Sequence, residues 1–140
     1  MLPDTLRQKI SYELNLINRE NEVVSLLKKK QSNADLDDIE LRALASSLHA
    51  IYNGIEKILI FILNNQGTKP DSPGSWHSKL LKSAMIEGII SVELENRLRD
   101  LMGFRHFFRH AYGFMLDKEL LLPLLEGMDM LLEDLKSEIL

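Results

Sequence analysis

Residues 105–112 read Arg105-His106-Phe107-Phe108-Arg109-His110-Ala111-Tyr112, and no other stretch of the 140-residue chain gathers as many groups able to do chemistry. Two arginines, two of the four histidines and a tyrosine sit side by side. Histidine suits proton transfer near neutral pH, and the planar arginine fork suits the clamping of a phosphate. Together they meet the needs of RNA cleavage without metal. A base takes the proton of the ribose 2′-hydroxyl, an acid protonates the leaving 5′-oxygen, and a cation stabilises the charge on phosphorus. Placed on a helix at 100° per residue, Arg105, Arg109 and Tyr112 share one stripe and His106 and His110 an adjacent one. Phe104, Phe107, Phe108 and Ala111 supply the apolar side. Such a polar stripe lines a cleft or a solvated surface equally well.

Other chemistries find less support. His106 and His110 stand at i and i+4, the spacing of a helical metal site, but no Glu lies between them in the metalloprotease pattern. His49 and His77 cannot be set beside them from sequence. Asp35, Asp37, Asp38 and Glu40 form an acidic cluster, which a helix start explains more simply than a divalent cation. The chain has no cysteine, which excludes thiolate zinc sites, cysteine nucleophiles and a disulfide framework. Neither a G-x-S-x-G nor a P-loop pattern occurs. The expectation is that no metal and no cofactor takes part.

The elements that must position these residues are helical. No segment alternates with period two for long, whereas apolar residues recur every three or four positions. A first helix follows Leu6, Ile10, Leu14, Ile17, Val24 and Leu27, entered through Asp4 or Thr5 and ending near three lysines, Lys28 to Lys30. Those lysines suit the negative end of the helix dipole better than they suggest RNA binding. A second helix starts among the acidic residues and follows Leu41, Leu44, Leu48, Ile51, Ile55, Ile58 and Ile62. Its end, residues 58–63, is apolar all round, which suggests a second subunit covering one face. Residues 64–75 hold two glycines and two prolines and form a loop. Ser75 is placed to cap a third helix through Leu80, Leu81 and Met85. Trp76 in its first turn reads as an anchor in the core or an interface, and His77 as packing beside it or as a cleft residue. Gly88 interrupts the pattern. Ser91 begins a fourth helix through Leu94, Leu98, Leu101, Phe104 and Phe108, with Gly113 as its terminator. Asp117 starts the last helix, in which Pro123 predicts a kink or a delayed start. The sum is an all-α antiparallel bundle of about five helices in a single domain over residues 1–140.

Charge and hydropathy narrow the partners. The formal net charge is −4, against a protein that coats nucleic acid indiscriminately. Residues 96–116 carry +3, which leaves −7 for the remainder. A local basic patch on an acidic body fits a confined phosphate site, or arginines paired with acidic neighbours across the bundle. The longest apolar run, residues 58–63, is far short of the roughly 20 residues of a membrane span, and the first residues lack a signal-peptide layout. A soluble, cytoplasmic protein is expected.

The spacing Arg-x-x-x-x-His-x-Tyr at Arg105, His110 and Tyr112 resembles that of the HepT-like ribonuclease toxins of the HEPN superfamily. The resemblance extends to residues 48–58, to Ser75-Trp76-His77 and to residues 113–117, and so covers most of the chain from about Asp37 onward. It implies a toxin of a type VII toxin–antitoxin pair that cuts RNA, often tRNA, without metal. It implies Arg105 and His110 as the catalytic pair, in a cleft between the helix faces of a homodimer. The implied partner is a minimal nucleotidyltransferase antitoxin that adenylylates Tyr112, in complexes larger than the dimer where toxin and antitoxin assemble. AMP on Tyr112 adds bulk and negative charge where an RNA phosphate must sit. The chain departs from the pattern in one place: HEPN proteins commonly have Asn or Asp directly after the motif arginine, where this chain has His106. His106 and Arg109 are therefore auxiliary candidates, and the division of acid and base roles between His106 and His110 stays open. The alternative is a non-catalytic HEPN module that binds a nucleotide or a partner nucleotidyltransferase.

Overall fold

A computed structural model describes residues 2–68, 76–110, 112 and 116–140, with Trp76 and His110 described by their backbone alone. Five helices account for almost all of it: α1 Asp4–Gln31, α2 Asp38–Asn65, α3 Trp76–Ile86, α4 Val92–His110 and α5 Lys118–Ile139. Among the described residues there is no strand.

The helix ends follow from local chemistry. Pro3 precedes α1 without a side-chain cap, and Asp4 stands inside the first turn, where its charge complements the helix dipole. At the start of α2 the acidic cluster resolves into a capping box. The Glu40 amide donates to Asp37 Oδ1 at 2.8 Å and the Asp37 amide to Glu40 Oε1 at 2.9 Å. Lys30, from the end of α1, pairs with the same Glu40. Ser91 caps α4 through the Leu94 amide at 3.1 Å, and Asp117 caps α5 through the Glu119 amide at 2.9 Å. Gly88 takes φ 75° between α3 and α4, a left-handed turn that glycine adopts without a steric cost. The start of α5 is not delayed by Pro123, which lies inside the helix. Its missing amide falls near the N-terminal end, where exposed Glu119 leaves its carbonyl to water. The predicted loop of residues 64–75 is described as far as Thr68, and its remainder, with the Ser75 cap, lies outside the described residues.

Contacts between helices fix their directions. Glu13 faces Lys57 and Glu20 faces Ser47, so α1 and α2 run antiparallel. Asn53 meets Arg105 and His49 meets Phe108, so α2 and α4 do the same. Arg97 pairs with Asp134 at 2.6 Å and Ser91 with Glu138, which sets α4 against α5 in the same way. Among the described residues α2 alone touches all four other helices. Its stripe of Leu44, Leu48, Ile51, Ile55 and Ile58 is fully buried. The apolar end of α2 needs no second subunit to cover it: Ile58, Leu59, Ile62 and Leu63 are buried within this chain. Ile60 and Phe61 are partly buried, with Lys9 lying 5.7 Å over the Phe61 ring. No helix is long and apolar enough to cross a membrane, among the described residues.

Candidate functional site

Along α4, Leu94, Leu98, Leu101 and Phe104 turn into the core, which sets the residues one position further on at the edge of α2. Arg105 is the residue so placed, and it is half-buried. Its Nε donates to Asn53 Oδ1 of α2 at 2.7 Å, and its Nη1 lies 3.4 Å from His77 Nε2 of α3. On its other side the His77 ring meets Glu56 of α2, with Nδ1 to Oε2 at 2.5 Å. Glu56 is only 4% exposed, so it is a carboxylate inside the bundle with an imidazole partner. Three helices thus converge on one guanidinium.

The same face of α2 carries two further polar groups. Tyr52, one turn before Glu56, is fully buried, and its hydroxyl makes no hydrogen bond among the described residues. Burial, then the negative charge of nearby Glu56, raises its phenol far above the ordinary range. His49 stacks on Phe108 at 5.2 Å between ring centres, and its buried Nε2 makes no hydrogen bond among the described residues. Burial, then the positive charges of Arg105 and Arg109, lowers its pKa from 6.5. His49, Tyr52, Asn53 and Glu56 stand at i, i+3, i+4 and i+7, a polar line on a helix whose neighbouring face is Leu, Ile and Ala.

The four arginines of the basic segment separate into two kinds. Arg97 is held by Asp134, and Arg99 by Glu95 at 2.5 Å and by Ser78 Oγ at 2.8 Å; both tie helices together. Arg105 has no carboxylate within ion-pairing distance among the described residues, and Arg109 is exposed. The paired reading of the arginines thus holds for Arg97 and Arg99.

The remaining motif residues lie toward the end of α4. His106 is exposed. His110 is the last residue of the helix, beside its unpaired C-terminal carbonyls, and its side chain lies outside the described residues. Tyr112 does not extend the stripe of Arg105 and Arg109 as the spacing predicts, because α4 stops two residues before it. It is 70% exposed, so its hydroxyl is open to a modifying enzyme, unlike that of Tyr52. Gly113, the predicted terminator, lies outside the described residues, as does the side chain of Trp76. No group of three His, Asp or Glu side chains is arranged to hold a metal ion among the described residues, and His106 stands apart from the His77–Glu56 pair.

Sequence reasoning left Asn53, Tyr52, Glu56 and His49 out of the site and left His77 between two readings. A signal was present: four polar residues at helical spacing on a helix otherwise apolar toward the core.

A protein-family model described as HepT-like protein matches residues 43–140, from the first turns of α2 to the end of α5. No curated protein and no solved structure matches the chain.

Proposed function

The chain belongs to the HepT-like protein family, and from that premise we propose that it is a ribonuclease toxin that cuts RNA without metal. The observation that carries this reading is the state of Arg105. Its guanidinium is oriented by two uncharged acceptors, and no described residue takes its Nη2 group. An arginine paired with a carboxylate is satisfied, whereas this one keeps two-pronged donor capacity for a phosphate. It lies one turn before His110 on the same helix.

In the proposed reaction Arg105 binds the scissile phosphate and offsets the charge that develops as the 2′-oxygen attacks. The bond to the 5′-oxygen breaks, giving a 2′,3′-cyclic phosphate and a free 5′-hydroxyl. His110 transfers a proton in this exchange, with His106 and Arg109 as auxiliary groups. His106, Arg109 and Tyr112 are exposed on one chain, which fits a cleft completed by a second copy. Control lies in Tyr112. A minimal nucleotidyltransferase antitoxin transfers AMP from ATP to the phenol oxygen, releasing pyrophosphate and the phenolic proton. The added phosphate then repels RNA from Arg105 and Arg109.

The test is cleavage of total RNA in EDTA by wild type, Arg105→Ala and His110→Ala, with folding followed by circular dichroism. Each substitution should lower the rate by ~10²- to 10³-fold and leave the helical spectrum intact. Undiminished cleavage by both variants overturns the assignment, and loss of wild-type cleavage in EDTA restores the metal reading of His106 and His110. If unmodified wild type, verified by intact mass, cleaves nothing, the chain is the binding module instead.

A further inference from the structure

The contacts of Arg105 allow the protons around it to be placed. A guanidinium carries five N–H donors and no acceptor, so the nitrogen facing it must offer a lone pair. That nitrogen is His77 Nε2, at 3.4 Å from Nη1. The imidazole proton therefore sits on Nδ1, and the group at 2.5 Å from Nδ1, Glu56 Oε2, must accept it. One polarity runs through the chain, with Arg105 donating to His77 and His77 donating to Glu56. Asn53 Oδ1 fixes the guanidinium at a second point, Nε, 2.7 Å away.

Two anchored points set the plane of the fork. Nε and one Nη1 hydrogen point into the bundle, and the Nη2 edge points away from both anchors. The imidazole also solves a problem that a carboxylate in direct contact would create. A Glu touching Arg105 would compete with an incoming phosphate for the same donors, whereas neutral imidazole supplies an acceptor with no negative charge in contact. Glu56 acts one group removed, behind His77, where its burial favours a single partner over exchange with water.

We infer that Glu56 and His77, with Asn53, are positioning residues that hold the Arg105 guanidinium with its free edge pre-aimed at a phosphodiester. This deepens the ribonuclease reading and rests on it for the identity of the ligand. Preorientation removes the cost of ordering a long side chain when phosphate arrives, and that gain is largest in the transition state. His77 serves Arg105 and is not itself the proton-transfer group, because its lone pair is engaged by the guanidinium.

The merely structural reading is that Glu56 and His77 tie α3 to α2. A paired replacement, Glu56→Leu with His77→Phe, separates the two, since it keeps apolar contact between the helices and avoids leaving a buried carboxylate alone. His77→Gln is the second variant, because its amide oxygen can still accept from Arg105. Two readouts are needed: the 15Nε–1H resonance of Arg105, and kcat and KM for cleavage of a short oligoribonucleotide. In the wild type the Arg105 Nε–H should be protected from solvent exchange. In the paired variant it should lose protection, and cleavage should fall by ~10- to 100-fold, mostly in kcat. His77→Gln should recover much of both. Introduced on top of Arg105→Ala, the paired replacement should have no further effect on cleavage. An unchanged Arg105 resonance overturns the inference, and so does an equal loss of rate in the Arg105→Ala background. Should the wild type cleave no RNA, the ribonuclease reading fails alone. Inorganic phosphate is then titrated against the Arg105 resonance: affinity lowered ~10-fold in the paired variant upholds the positioning role, and unchanged affinity overturns it.

Discussion

Arg105 owes its orientation to residues of two other helices, and the individual side chains around it make distinct predictions. His49 is held neutral by burial and by the charges of Arg105 and Arg109. Its pKa is lower folded than unfolded, so below the ordinary 6.5 the unfolded chain binds the proton more readily. The stability contributed by neutral His49 is complete above about pH 6.5 and is lost as pH falls toward the folded-state value. Denaturation midpoints from about pH 7.5 to about pH 5 should therefore decline more steeply for wild type than for His49→Gln. Parallel declines would show that His49 does not carry the effect. Tyr112, at the exposed end of the motif, makes a separate prediction. Incubated with ATP and the partner nucleotidyltransferase, wild type should gain mass in AMP steps and Tyr112→Phe should gain none. Exposed Tyr12 on α1 is the internal control, since mass added to Tyr112→Phe would move the acceptor there.

Helices α1 and α2 show how a close contact sets the outcome of a simple substitution. A methyl group on Gly54 would lie 2.7 Å from Ile17 Cγ1 and 3.0 Å from its Cδ1, so Gly54 lets α1 approach α2 across the core. Gly127 of α5 has open space at the same position. Helix propensity alone favours alanine at both sites by ~1 kcal/mol. The structure predicts opposite signs instead. Gly127→Ala should stabilise the protein by ~0.5–1 kcal/mol, and Gly54→Ala should destabilise it by ~1–3 kcal/mol through overpacking. Urea denaturation of the two variants decides this, and equal stabilisation would mean that Ile17 yields freely. At the start of α2, Asp37→Ala removes one side of the capping box and should cost about 1 kcal/mol. The match to HepT-like proteins begins at residue 43, yet α1 covers much of α2, so the segment outside the match still completes the core.

The whole molecule presents half of a proposed site. One chain holds Arg105 firmly but leaves His106, Arg109 and Tyr112 on an open surface. A cleft that keeps RNA in place and excludes water needs a second wall, and a second copy brings another set of the same groups. Light scattering at micromolar concentration should give about twice the 16.1 kDa chain mass. A monomer there would count against the shared cleft. The apolar end of α2 does not by itself argue for the dimer, because this chain buries most of it.

The sequence by itself determined the helices, their approximate ends and the stretch where the chemistry lies, since periodicity, caps and motif spacing are local properties. Asp37, Ser91 and Asp117 announced the starts of α2, α4 and α5 because capping is a bond between residues two or three apart. What only the tertiary structure decided are the partners of Arg105. Asn53 is 52 residues away and His77 28, and no local pattern ties a buried Glu on one helix to an arginine on another. The tertiary structure likewise separated Arg97 and Arg99, which brace the bundle, from Arg105, which does not pair with a carboxylate. Composition assigns all four the same charge, and only packing determines which acceptors each one meets.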